Sequence, residues 1–143
     1  GDTQALNLIP IVFDRLASGS SPVIFGDDYP TPDGTCVRDF VHVSDVADAH
    51  QVVLDHLPME PGHKIYNIGT GVGTSVREMV DALIDIAGSD LKPVASSRRP
   101  GDSATVVADV SRIRQEMGWV ARHDLESIIS SAWESREYFG ARS

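Results

Sequence analysis

The chain has 143 residues, 41% of them hydrophobic and 23% charged, which is enough for one domain with a buried core. Its net charge of −9, from 12 basic and 21 acidic side chains, argues against non-specific binding to nucleic acid or anionic lipid, so an anionic ligand must be held by a few local cations. No apolar run nears the roughly 20 residues needed to cross a bilayer, the first residues lack a signal-peptide pattern, and the single Cys36 excludes an internal disulfide and a thiolate zinc cluster; a reducing, cytoplasmic setting is expected.

In chain order, NLIPIVFDRLASG predicts a helix ending near Gly19, with Pro10 in its first turn, where a missing N–H costs nothing. PVIFG (22–26) is a short β-branched run and predicts a strand. DDYPTPDGTC, crowded with Asp, Pro and Gly, predicts a loop, in which Asp27 and Asp28 are solvated or turn-forming. VRDFVHV (37–43) alternates apolar with polar and predicts a strand. Ser44 offers an N-cap to a helix over about 45–57 with a stripe of Val46, Ala49, Val53, Leu54 and Leu57.

HKIYNIG predicts another strand. Ser75 and Glu78 have the spacing of a capping box for a helix to about Ala87, buried through Val76, Met79, Val80, Leu83 and Ile84. KPVASS predicts a strand. Asp109 is placed to cap a short helix that Gly118 stops, and Asp124 a last helix with Leu125, Ile128, Ile129, Ala132 and Trp133 on one side. Alternating helices and strands give the class α/β.

IYNIGTGVGTSVREMV (65–80) has the strand, glycine turn and helix of a dinucleotide-binding loop. Gly69 and Gly71 supply two of the three glycines, but the third position is Thr74, and no acidic residue ends the next strand, which runs into SSRR. A tight strand-to-helix turn is the better reading. The histidines (His42, His50, His56, His63 and His123) form no His-Glu-x-x-His pair and are expected to be structural or solvated; no metal is expected. Neither a Gly-x-Ser-x-Gly elbow nor a Walker loop occurs.

FGDDYPTPDGTCVRDFVHVSDVADAH, together with NLIP upstream and YNIGTGVGTSV, RRPGD and MGW downstream in the same order, closely resembles the carboxy-terminal half of the UDP-glucose 4-epimerase family, which are extended short-chain dehydrogenases. The resemblance covers essentially the whole chain. RDF-x-x-V-x-D is shared with many nucleotide-sugar dehydratases and epimerases, whereas DYPT-x-DGT is narrower. It implies that residues 1–143 are a substrate-binding portion of an α/β enzyme, without the amino-terminal Rossmann half that carries NAD.

By the same resemblance, Arg38 and Arg99 grip the diphosphate of UDP-glucose or UDP-galactose, and Asp102 accepts from the ribose hydroxyls. Asn7 and Leu8 touch phosphate and sugar, the backbone of Val23, Ile24 and Phe25 reads uracil, and Val106 lines the hexose pocket. The chemistry agrees: guanidinium forks pair with phosphate oxygens, and a carboxylate suits a diol. Other readings remain for Asp102 as a turn residue and for Asn7 as a helix cap. Valine at 106 leaves acceptance of acetamido sugars open.

The family's Tyr-x-x-x-Lys pair is missing: the only lysines are Lys64 and Lys92, and Tyr29, Tyr66 and Tyr138 have none four places on. No catalytic and no cofactor-binding residue is expected in this chain, which by itself should be inactive and, with its sheet incomplete, prone to self-association or strand swapping. A fragment of another nucleotide-sugar epimerase or dehydratase and a stand-alone UDP-sugar-binding module are the alternatives.

Overall fold

The computed structural model describes residues 7–56 and 62–140, the side chains of 137–140 excepted. In order come α1 (Leu8–Ala17), β1 (Val23–Phe25), β2 (Val37–Arg38), α2 (Val43–Asp55), β3 (Thr74–Ser75), α3 (Val76–Ile86), β4 (Val94–Ser96), β5 (Thr105–Val106), α4 (Ser111–Met117) and α5 (Leu125–Gly140). The α/β class holds. β1 pairs with β4 in parallel, Ile24 opposite Ala95. β2 lies between antiparallel β3 and parallel β5, with Arg38 opposite both Thr74 and Val106.

The main core is the meeting of three helices with β1. Val12 and Phe13 of α1, Ile24 of β1, Met79, Val80, Leu83 and Ile84 of α3 and Ile129 of α5 are all buried together. Helix α3 is the centre of this core, because four of its apolar residues fall on one face while its capping box fixes the entry. The Ser75 hydroxyl accepts from the Glu78 amide, and the Glu78 carboxylate accepts from the Ser75 amide. A second cluster joins Ala49 of α2 to Ile113 and Trp119, with the Trp119 indole donating to Asp48.

The 27–36 loop is built onto the start of α3. Asp33 accepts from the amide and hydroxyl of Thr35 and from the hydroxyl of Ser75, while Thr35, itself fully buried, accepts from the Arg77 amide. Gly34 sits at φ +80°, where a Cβ would meet the Asp27 carbonyl oxygen at 2.1 Å; only glycine fits. The motif thus fastens the loop under the helix.

Several sequence expectations are corrected. The strand expected over 37–43 ends at Arg38, because Asp39 turns inward to bind the glycine loop. Helix α2 begins at Val43 rather than 45, and its cap is His42, not Ser44: the His42 Nδ1 accepts from the Ser44 amide. Leu54, assigned to the buried stripe, is 60% exposed, whereas Asp45 is buried. Leu57 lies outside the described residues.

HKIYNIG forms no strand, since no neighbouring strand lies beside it among the described residues. Side chains of α4 hold it instead: Arg112 donates to the Ile65 carbonyl, and Tyr66 and Lys64 donate to Glu116. These bonds draw the Glu116 carboxyl down to about 2, the Tyr66 hydroxyl first among them. At α4 the N-cap position belongs to Val110, one residue later than expected, although Asp109 still accepts from the Ser111 amide. Gly118 ends the helix in the left-handed region, at φ 67°. Asp124 accepts from the Ser127 amide at the start of α5, as the sequence suggests.

Candidate functional site

A cleft of about 310 Å³ opens between α1, β1, β2 and the turn after β4, lined in part by Leu8, Val23, Phe25, Arg38, Arg99 and Asp102. Six of the nine residues singled out in the sequence therefore share one concavity. Arg38 and Arg99 are 61 positions apart in sequence and meet there because β2 and β5 run side by side, which brings the turn before β5 over Arg38.

Each guanidinium is held in place. Arg38 Nη1 donates to the Ser103 carbonyl at 2.9 Å, and its Nη2 lies 3.7 Å from the Asp102 carboxylate. The Arg99 guanidinium lies 3.9 Å from the centroid of the Phe25 ring, a cation–π contact. The turn carrying Arg99 and Asp102 closes with the Asp102 amide donating to the Arg99 carbonyl, and Gly101 takes φ +88°. Asp102 is thus a turn residue and a lining residue at once.

Among the described residues β1 pairs with β4 alone, which leaves its other edge open beside the cleft. The Gly26 amide donates to Ser96 and the Pro22 carbonyl accepts from Val94, so even-numbered residues here face β4. Val23 and Phe25 then direct their amides and carbonyls to the opposite edge.

Three residues are not brought into the cleft. Ile24 has its side chain in the main core, 2% exposed, and its amide and carbonyl face β4 and not the open edge. Asn7 stands at the N-cap position of α1 but makes no side-chain cap bond, and it is exposed. Val106, 53% exposed, sits beside Arg38 in register on β5 but is outside the lining.

The sequence reading missed other lining residues. Ile11, Val12 and Arg15 follow Leu8 on one face of α1, and the helical spacing 8, 11–12, 15 carried that signal. Phe40 is two residues from Arg38 and so shared its expected strand face. Cys36 and Val76 had no such mark.

The glycine loop is filled from within. Asp39 Oδ1 accepts from the Thr70 amide at 2.9 Å and hydroxyl at 2.6 Å, and Oδ2 accepts from the amides of Gly71 at 2.9 Å and Ala108 at 3.2 Å. Burial alone would raise the Asp39 carboxyl, but bonds from Thr70, Gly71 and Ala108 hold it below the usual range. A Cβ on Gly69 would stand 2.5 Å from Asp39 Oδ2, so the glycine exists to admit that carboxylate. The donors that a dinucleotide pyrophosphate would need are taken by a resident anion, and the loop does not fit such a cofactor. Asp39 is the site-shaping residue that the motif reading overlooked.

Two of the histidines, His42 and His123, have structural partners. The rings of His42 and His123 stack at 4.2 Å, His42 Nε2 pairs with Ser131, and His123 Nδ1 lies 2.9 Å from Asp45. Burial works to raise the Asp45 carboxyl, but the His123 ring and the amides of Arg122 and His123 bring it below its ordinary value.

With this geometry in view, the profile of the NAD dependent epimerase/dehydratase family matches residues 1–69. The chain is 46% identical over 134 residues to a UDP-glucose 4-epimerase of Azospirillum brasilense, covering 91% of this chain and 38% of that protein. It is 44% identical over 128 residues to the UDP-glucose 4-epimerase of Bacillus subtilis, again 38% of its length. Among solved structures, a UDP-glucose 4-epimerase of Stenotrophomonas maltophila with bound NAD and formylated UDP-arabinopyranose superposes with a TM-score of 0.91 at 37% identity, over all of this chain and 43% of that one. The Bifidobacterium longum enzyme in complex with NAD+ and UDP gives 0.86, over 96% of this chain and 41% of that one. The chain thus spans about two fifths of the length of the relatives it matches.

Proposed function

We propose, starting from the kinship of this chain with the UDP-glucose 4-epimerases, that it is the carboxy-terminal, substrate-holding portion of such an enzyme and that its cleft anchors the UDP of UDP-glucose and UDP-galactose. The observation that carries the reading is the convergence of Arg38 and Arg99 on one concavity. Two guanidinium forks match the two negative charges of a diphosphate, and a chain of net charge −9 supplies such cations only locally. Asp102, acceptor-only, stands beside Arg38 and suits the ribose diol. The open edge of Val23 and Phe25 offers an amide and a carbonyl to a base. Val106, next to Arg38 in register on β5 and outside the cleft lining, would border the hexose side of a bound substrate.

This arrangement places binding energy on the part of the substrate that does not react. A firmly held UDP handle leaves the hexose free to present either face to an oxidant. NAD and the proton-transferring tyrosine would belong to the length of the parent enzyme that this chain does not span, and no hydride or proton step is assigned to these residues. The exposed apolar residues Val43, Leu54 and Ile65 would pack against that portion.

Calorimetric titration of the chain with UDP tests the reading. Saturable binding that Arg38→Ala weakens supports it; a folded chain that does not bind UDP overturns it.

A further inference from the structure

The cleft holds a third guanidinium, that of Arg15, which neither the motifs nor the diphosphate reading uses. Its position is fixed: Nε donates to the Ser21 carbonyl at 2.8 Å, which sets the head at the Val23 end of β1. Arg99 marks the other end, over the ring of Phe25. Among the described residues no carboxylate lies within 4 Å of Arg15, in contrast to Arg38, Arg98, Arg112 and Arg136, each beside an acid. Its terminal donors are left for a ligand.

The edge of β1 limits what that ligand can be. One residue on an open strand edge offers one N–H donor and one C=O acceptor. The imide edge of uracil presents a carbonyl, an N–H and a second carbonyl. A strand residue can serve one carbonyl and the N–H, leaving the second carbonyl to a separate donor. Arg15 carries donors only. Cytosine has an amino group in place of one carbonyl, and an amino group facing a guanidinium sets donor against donor.

We infer that Arg15 reads the pyrimidine: its guanidinium donates to a uracil carbonyl at the Ser21–Val23 end of the cleft and selects uridine over cytidine nucleotides. This rests on the UDP-anchoring reading and adds to it the residue that sets base selectivity.

The test is calorimetric titration of the full chain and its Arg15→Ala and Arg15→Lys variants with UDP and with CDP. The ratio of the two affinities is independent of the fraction of protein folded, so a loss of stability cannot imitate the result. Wild type is expected to favour UDP by about tenfold or more, Arg15→Ala to lose about tenfold for UDP with little change for CDP, and Arg15→Lys, still a donor, to keep part of the preference. An equal loss for both nucleotides, as a phosphate contact would give, overturns the inference while the anchoring reading stands; so does no change in either. Wild type binding neither nucleotide overturns both.

Discussion

The carboxylate of Asp39 accepts the backbone amides of both Thr70 and Gly71, so a loop shaped like a phosphate cradle is closed by an anion of the chain itself. Asp39 directly follows Arg38, and the same contact therefore fixes the strand that delivers Arg38 to the cleft. Replacing Asp39 by alanine strands these donors in a partly buried place. The expected loss is about 2–3 kcal/mol of stability, read from denaturant melts. A change within experimental error would mean that the loop needs no internal anion.

Gly69→Ala tests the same contact from the other side. The added methyl would stand 2.5 Å from Asp39 Oδ2 and 2.7 Å from the Ala108 Cβ. A loss of about 1–3 kcal/mol is expected, as for overpacking elsewhere. In an Asp39→Ala background the cost should shrink, because the groups are in contact and their effects do not add.

Acid should destabilise the fold through Asp39 and Asp45. Both carboxyls are held below their ordinary value, against burial, by hydrogen bonds and in Asp45 also by His123. A folded value below the unfolded one, about 3.9, contributes stability that is full above that pH and is lost as pH falls through the folded value. Melting temperature followed from pH 7 to 3 should drop at the acid end, and Asp39→Asn should flatten the drop. An equally steep drop in that variant would assign acid sensitivity elsewhere.

The proposed division of labour makes the isolated chain catalytically silent. A coupled assay should detect no exchange of UDP-glucose and UDP-galactose when NAD is added to the pure chain. Measurable turnover would place catalytic groups among these residues and contradict the reading.

Much of the fold was legible where one local rule sufficed. The Ser75–Glu78 box, the face of Met79, Val80, Leu83 and Ile84, the stop at Gly118 and the cap at Asp124 follow from short spacings, and each is present. What was not legible depends on partners distant in sequence. Alternation carried VRDFVHV to residue 43, but Asp39 leaves the strand for amides 31 and 32 residues away. HKIYNIG has the composition of a strand and no strand beside it among the described residues. The site divides in the same way. Arg38, Arg99 and Asp102 were marked by motif and are gathered in one cleft, whereas Arg15 has no motif and enters only through the helix face that it shares with Leu8.

The most direct measurement of the shared anchor is UDP affinity by calorimetry for the wild-type chain, Arg38→Ala, Arg99→Ala and the double variant. If both guanidiniums close on one diphosphate, each single change should weaken binding about 10- to 100-fold, and the double variant should depart from the product of the two. UDP affinity left unchanged by both single substitutions in a folded chain would contradict the account.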